Sequence, residues 1–184
     1  MSLRKEDNLV WIDLEMTGLY PEKDYILDIA SIITDSQLNV IAYGPSIVIH
    51  HPWYYLQGMS EWAKDQHTKS GLLTDVAASS ISLEEAEQQT LDFLYEYCMP
   101  SMSPLCGNSV NHDREFLRVY MSRIAAFLHY RTIDVTSIKE VVKRWYSHNA
   151  RAKYNKKDTH RALDDIKESI DELSHYRRNF FINS

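Results

Sequence analysis

Hydrophobic and polar positions change their period along the chain, and the changes mark its architecture. The first fifty residues carry three short apolar runs, 9–14, 25–33 and 40–50, rich in Ile, Val and Tyr and separated by turn chemistry at Gly18 to Asp24 and Asp35 to Asn39. Runs of this kind predict β-strands, and their short connections predict antiparallel neighbours. From Ser60 the pattern becomes helical. Ser82-Leu83-Glu84-Glu85 has the form of a capping box, opening a segment in which Ala86, Thr90, Phe93, Leu94 and Tyr97 recur at helical spacing until Pro100 and Pro104 end it. Beyond it the spacing predicts a short buried strand at 104–108, a helix over 113–130, a strand at 132–135 and a last helix over 160–176. The basic polar stretch 147–157 reads as a mobile loop, because too little chain follows it for a second domain, and residues 1–184 are expected to form one domain.

Composition narrows the class. A chain of 184 residues with 44% hydrophobic content, 4 Trp and 12 Tyr can bury a sizeable core. The first seven residues contain no apolar targeting segment and no later run is long and apolar enough to span a bilayer, so a cytoplasmic protein without membrane association is expected. Cys98 and Cys106 have no zinc-binding or redox spacing and read as reduced, packed thiols. A net charge of −6 argues against gripping long nucleic acid through a basic stripe, although it allows a short anionic substrate held by metal ions.

The candidate chemistry lies in three acidic clusters. Asp13 and Glu15 end the first apolar run, and side chains two apart on a strand share a face about 7 Å apart. Such a pair repels itself unless a hard divalent cation is bound between its oxygens. In the second cluster, Phe116, Leu117, Tyr120 and Met121 form an apolar helical face that points Asp113 inward, either as a helix cap or towards a cation, with Asn111 as the alternative cap. In the third, His160-Arg161-Ala162-Leu163-Asp164-Asp165 opens a helix whose inward stripe is Ala162, Ile166, Ile170 and Leu173, bordered by Asp165. His160, five residues earlier, suits a residue that approaches an attacking water as general base, since imidazole titrates near ~6.5.

Asp13-x-Glu15, Asp113 and His160-x-x-x-x-Asp165, in this order and context, resemble the three exonuclease motifs of the histidine-containing branch of the DEDD superfamily. The text around them, Trp11 to Leu19, Gly107 to Val110, His129-Tyr130-Arg131 and His160 to Ile166, resembles the oligoribonuclease family along nearly the whole chain. The resemblance implies an α/β, ribonuclease H-like fold with a mixed five-stranded sheet flanked by helices. It implies a homodimeric 3′-to-5′ exoribonuclease that degrades very short single-stranded RNA, dinucleotides especially, to 5′-mononucleotides. Asp13, Glu15, Asp113 and Asp165 are then expected to hold two Mg²⁺ or Mn²⁺ ions per active site, with His160 as the base. Leu19 matches a wedge between bases, and Trp62 a residue that stacks on one. Ser109 and Arg131 match a cap over the 5′ phosphate, with Tyr130 given by the other subunit, His67 nearby, and Thr136 as the second cap hydroxyl where serine is usual.

Two other readings compete. A proofreading or RNA-trimming exonuclease of the same superfamily would share the mechanism but act on longer 3′ ends, against which the acidic charge and the Tyr130-Arg131 pair argue. A non-catalytic scaffold on a decayed nuclease fold would have lost acidic residues, and this chain keeps them together with the histidine.

Overall fold

A computed structural model of the chain describes residues 4–155 and 161–181. Strands β1 (Leu9–Met16), β2 (Ile26–Thr34) and β3 (Val40–Val48) come first, followed by helices α1 (Trp53–Leu56), α2 (Glu61–Lys69), α3 (Leu72–Ala78) and α4 (Leu83–Tyr97). Strand β4 (Pro104–Gly107), helices α5 (Asn111–Tyr120) and α6 (Ser122–Phe127), strand β5 (His129–Asp134) and helices α7 (Val135–Trp145) and α8 (Ala162–Phe180) complete the order. The strands form one mixed sheet in the order β3-β2-β1-β4-β5. β2 runs antiparallel to both β1 and β3, whereas β1, β4 and β5 are parallel.

Each face of the sheet buries its own apolar cluster. Val10, Ile12 and Leu14 of β1 pack with Leu91 and Leu94 of α4 and with Phe116 and Leu117 of α5. The alternate residue Trp11 packs on the opposite face with Val135 and Val142 of α7 and with Ala162, Ile166, Ile170 and Leu173 of α8, the inward stripe read from the sequence. Helix α4 starts with the expected capping box, Ser82 and Glu85 bonding each other's backbone N–H groups. Both cysteines are free and buried, and burial pushes the Cys106 thiol well above its usual range. Among the described residues no helix is long and apolar enough to cross a membrane.

The expected single helix over 113–130 is instead two helices and the start of a strand. Met121, at φ −132° and ψ 59°, ends α5 and precedes α6. The break is held by the buried Glu87 of α4, whose carboxylate accepts the N–H groups of Arg123 (2.8 Å) and Ile124 (3.4 Å), satisfying donors that every helix start leaves open. Strand β5 therefore begins at His129, and Tyr130 and Arg131 lie on a strand. Strand β3 stops at Val48, because the His50 N–H leaves the ladder for the Ile81 carbonyl. Residues 147–155 of the expected loop include a 3-10 turn at Ala150–Ala152; the rest of that loop, and His160, lie outside the described residues.

Candidate active site

Strand alternation delivers the first two carboxylates. Asp13 and Glu15 continue the face of Trp11, the face on which α8 packs, and burial of the α8 stripe brings Asp165 to them. One carboxylate oxygen from each of Asp13, Glu15 and Asp165 lies within 4.8 Å of the others. Asp113 reaches β1 from the first turn of α5. It is 5% exposed, and its Oδ1 accepts the Leu14 N–H at 3.0 Å. Asn111 is the first, exposed residue of the helix, not its cap; the cap position is Val110, without a side-chain hydrogen bond.

The electrostatics follow from this convergence. Glu15 is pushed up from 4.5 to about 8, first by burial and then by the negative charges of Asp165, Asp28 and Asp113, with the Arg161 guanidinium opposing them. Burial likewise pushes Asp113 up to about 7 against the pull of the Leu14 N–H. Crowded carboxylates of this kind favour either protons or cations. The donors are all carboxylate oxygens, the chemistry preferred by hard divalent ions over soft ones, so the residues fit a hard divalent cation.

A groove of about 500 Å³ leads away from Glu15, lined by Leu19, Tyr20, Trp62, Gln66 and His67. Leu19 and Trp62 are 58% and 66% exposed and present apolar surface to the groove. His67 is buried on α2, with Nδ1 3.7 Å from Glu15 Oε2 and Nε2 2.9 Å from the Met16 carbonyl, so its contacts are with the acidic end of the groove. The β1–β2 loop that presents Leu19 is held by the buried Asp24, which accepts from Thr17 Oγ1 (3.1 Å) and the Tyr20 N–H (2.9 Å). Gly18 is required there, because a Cβ would stand 2.5 Å from the Asp24 carboxylate.

Of the residues matched to a phosphate cap, Ser109 after β4 and Thr136 at the start of α7 meet, whereas Tyr130 and Arg131 lie near the start of β5. Ser109, at φ 51°, donates its N–H to Asp134 Oδ1 and Thr136 Oγ1, both at 2.9 Å. The two hydroxyls lie 3.2 Å apart, and Thr136 Oγ1 donates to Asn108 Oδ1 at 3.1 Å, so threonine keeps the hydroxyl in this network. On β5 the Arg131 guanidinium lies 5.1 Å from the Tyr130 ring centroid. Tyr130 is 70% exposed on the edge strand of the sheet.

A family model described as an exonuclease (RNase_T) matches residues 10–173. The oligoribonuclease of Ruthia magnifica subsp. Calyptogena magnifica is 52% identical over 181 residues, covering 98% of this chain and 99% of that protein. The oligoribonuclease of Marinobacter nauticus is 53% identical over 175 residues, covering 95% and 97%. This chain belongs to the oligoribonuclease family. Among solved structures, E. coli exonuclease I in complex with a 5cy-dT13 oligonucleotide aligns at a TM-score of 0.72 and 16% identity, over 96% of this chain and 42% of that one. That likeness is one of fold, the mixed sheet flanked by helices of ribonuclease H-like exonucleases.

Within this oligoribonuclease-family site, two polar residues reveal their part only in the folded chain. Asp28 stands opposite Glu15 in the β1–β2 ladder and is 1% exposed. Burial pushes its carboxyl up to about 6 while Arg161 pulls it down. A lone carboxylate inside the apolar run Tyr25 to Ile33 was the available signal. Arg161 lies inside the third motif, yet only the folded chain reveals what its side chain reaches.

Proposed function

We propose that this protein is a 3′-to-5′ exoribonuclease that hydrolyses very short RNA, dinucleotides above all, to 5′-mononucleotides. The observation that carries this reading is the convergence of Asp13, Glu15 and Asp165 at the end of a groove walled by exposed Leu19 and Trp62. Asp13, Glu15, Asp113 and Asp165 would hold two divalent ions, Mg²⁺ or Mn²⁺, which when bound supply positive charge to the scissile phosphodiester and its attacking water. Leu19 wedges beside a base and Trp62 stacks on it, aromatic stacking being sequence-tolerant and worth ~1 to 3 kcal/mol per base. His160 takes the proton from the attacking water. The new bond joins water oxygen to phosphorus, the bond from phosphorus to the 3′ oxygen breaks, and the products are a 5′-mononucleotide and an RNA shortened to a free 3′ hydroxyl.

Selection for short RNA would come from Ser109, Thr136 and Arg131 closing on a 5′ phosphate, with Tyr130 contributed by a second copy of the chain. The exposure of Tyr130, together with that of Val141, Trp145 and Phe181 (39%, 75% and 52%) on α7 and after α8, supports a homodimer built on this side of the sheet. The test is turnover of 5′-labelled RNAs from two to twenty nucleotides, with and without Mg²⁺. Metal-dependent turnover falling steeply with length is expected. Equal turnover at all lengths would refute the cap, and metal-independent turnover would refute the metal assignment.

A further inference from the structure

The start of α8 has to hold Asp165 against β1, yet it lacks a cap of its own. Arg161 precedes the helix and makes no side-chain capping bond, while its carbonyl accepts the N–H groups of Asp164 (2.9 Å) and Asp165 (3.0 Å). Its side chain instead crosses to two other elements. Nη1 donates to Asp75 Oδ2 of α3 at 2.8 Å, and Nε lies 3.8 Å from Asp28 Oδ2 of β2, an ion pair without a hydrogen bond. Asp28 is in turn the ladder partner of Glu15. The guanidinium therefore ties the start of α8, which carries Asp165, to α3 and to β2, the strand registered against Glu15 of β1.

We infer that Arg161 is a positioning residue, whose guanidinium, clamped between Asp28 and Asp75, fixes the N-terminus of α8 against the β1–β2 ladder and so holds Asp165 beside Asp13 and Glu15. The inference rests on the metal-binding role proposed above for those carboxylates. The two ends of the clamp are unequal. Asp28 is buried, so removing its counter-charge would leave a charge inside the fold, whereas the Asp75 side chain is 47% exposed and water can replace its partner. The planar fork of arginine can address two carboxylates on different elements at once, which the point charge of lysine does less well. Residues that orient metal ligands typically change metal affinity or activity by about 10–100-fold when lost.

The test uses the full chain with calorimetric Mn²⁺ titration, kinetics on a 5′-phosphorylated diribonucleotide, and amide exchange at the first turn of α8. Arg161→Gln should weaken Mn²⁺ binding and lower kcat by about 10–100-fold each, with KM changed by less than about twofold and faster exchange at 164–166. Arg161→Lys should recover part of both losses. Arg177→Gln, which removes an exposed arginine bonded to the Gln37 carbonyl near the other end of α8, should change neither. Asp75→Asn, the milder variant, should give a smaller loss, and adding it to Arg161→Gln should cost nothing further because both break one clamp. An Arg161→Gln protein with a lowered Tm but wild-type Mn²⁺ affinity and kcat would overturn the inference, as would additive losses in the double variant. Wild-type Mn²⁺ affinity in Asp165→Asn would instead overturn the metal assignment, and kcat with α8 exchange would then decide the clamp.

Discussion

Stripped of divalent cations, the protein should lose stability as pH rises, by an amount that can be worked from Glu15. Its carboxyl, ordinarily at 4.5, sits at about 8 in the folded chain because it is buried among the charges of Asp165, Asp28 and Asp113. Between those values the folded state keeps a proton that the unfolded state has released. The stability linked to Glu15 is thus fully present below about 4.5 and is lost as pH rises through about 8. At about 1.36 kcal/mol per pH unit the interval has a ceiling of about 5 kcal/mol. Side-chain relaxation and water entry into the crowded site reduce this to about 2–4 kcal/mol. Asp113, at about 7, and Asp28, at about 6, act in the same direction.

For a chain of this size about 1 kcal/mol moves Tm by roughly 2–4 °C, so thermal unfolding in EDTA should show Tm falling by roughly 5–15 °C between pH 5 and 8.5. Saturating Mn²⁺ should remove most of that fall by binding the ionised carboxylates of the folded state. Because the imidazole of His67 lies 3.7 Å from Glu15, the control is Glu15→Gln. It keeps the histidines, and should flatten the slope and raise Tm at pH 8. A metal-free Tm that is constant or rises over this range, or an unchanged slope in Glu15→Gln, would refute the reasoning.

Other substitutions separate the proposed roles. Asp13→Ala and Asp165→Ala should remove nearly all activity without loss of Tm, since each also relieves repulsion; retention of activity within a few fold in either would contradict the two-metal reading. Asp113→Ala should remove activity and also cost about 1–3 kcal/mol in denaturant unfolding, because the buried Leu14 N–H loses its acceptor, whereas Asp113→Asn should keep most of the stability. His160→Ala should lower kcat by about 10²-fold or more at neutral pH while calorimetric Mn²⁺ affinity survives; parallel loss of both would make His160 a ligand rather than a base. Arg131→Ala should weaken binding of a 5′-phosphorylated dinucleotide far more than that of a longer RNA, and equal losses in direct binding assays would refute the cap. Mixing Tyr130→Ala subunits with Asp113→Ala subunits should restore activity, since each mixed dimer then has one intact centre served by an intact tyrosine; no recovery after confirmed exchange would place Tyr130 within its own chain.

The strands were legible because their apolar runs and turns signal locally, and β1 and β2 fall within two residues of their expected ends. The break at Met121 was not legible, since the side chain that holds it, Glu87, is 34 positions away in sequence and meets α6 only in the folded chain. The same division runs through the site. The convergence of Asp13, Glu15 and Asp165 follows from strand alternation and a helical stripe, both local periodicities. The support of that convergence is non-local: Asp28 matters because it is registered against Glu15, and Arg161 because it spans β2 and α3. Neither spacing nor residue type announces such a partnership.

Topology also bears on why the proposed substrate is short. In sheets of this kind ligand sites form beyond the carboxyl ends of parallel strands, and here β1, β4 and β5 are the parallel ones. The end of β1 carries Asp13 and Glu15 and runs into the loop bearing Leu19, while the ends of β4 and β5 run into Ser109 and Thr136. Strands two places apart are separated by about 10 Å, so the sheet itself sets a short, fixed interval between the carboxylates and the proposed cap. Neither end can move without breaking the ladder or the Ser109, Asp134 and Thr136 network. An RNA that engages both ends would then be measured by backbone hydrogen bonds rather than by a mobile lid, so length selection should persist under conditions that loosen surface loops as long as the cap side chains and the dimer that supplies Tyr130 are intact.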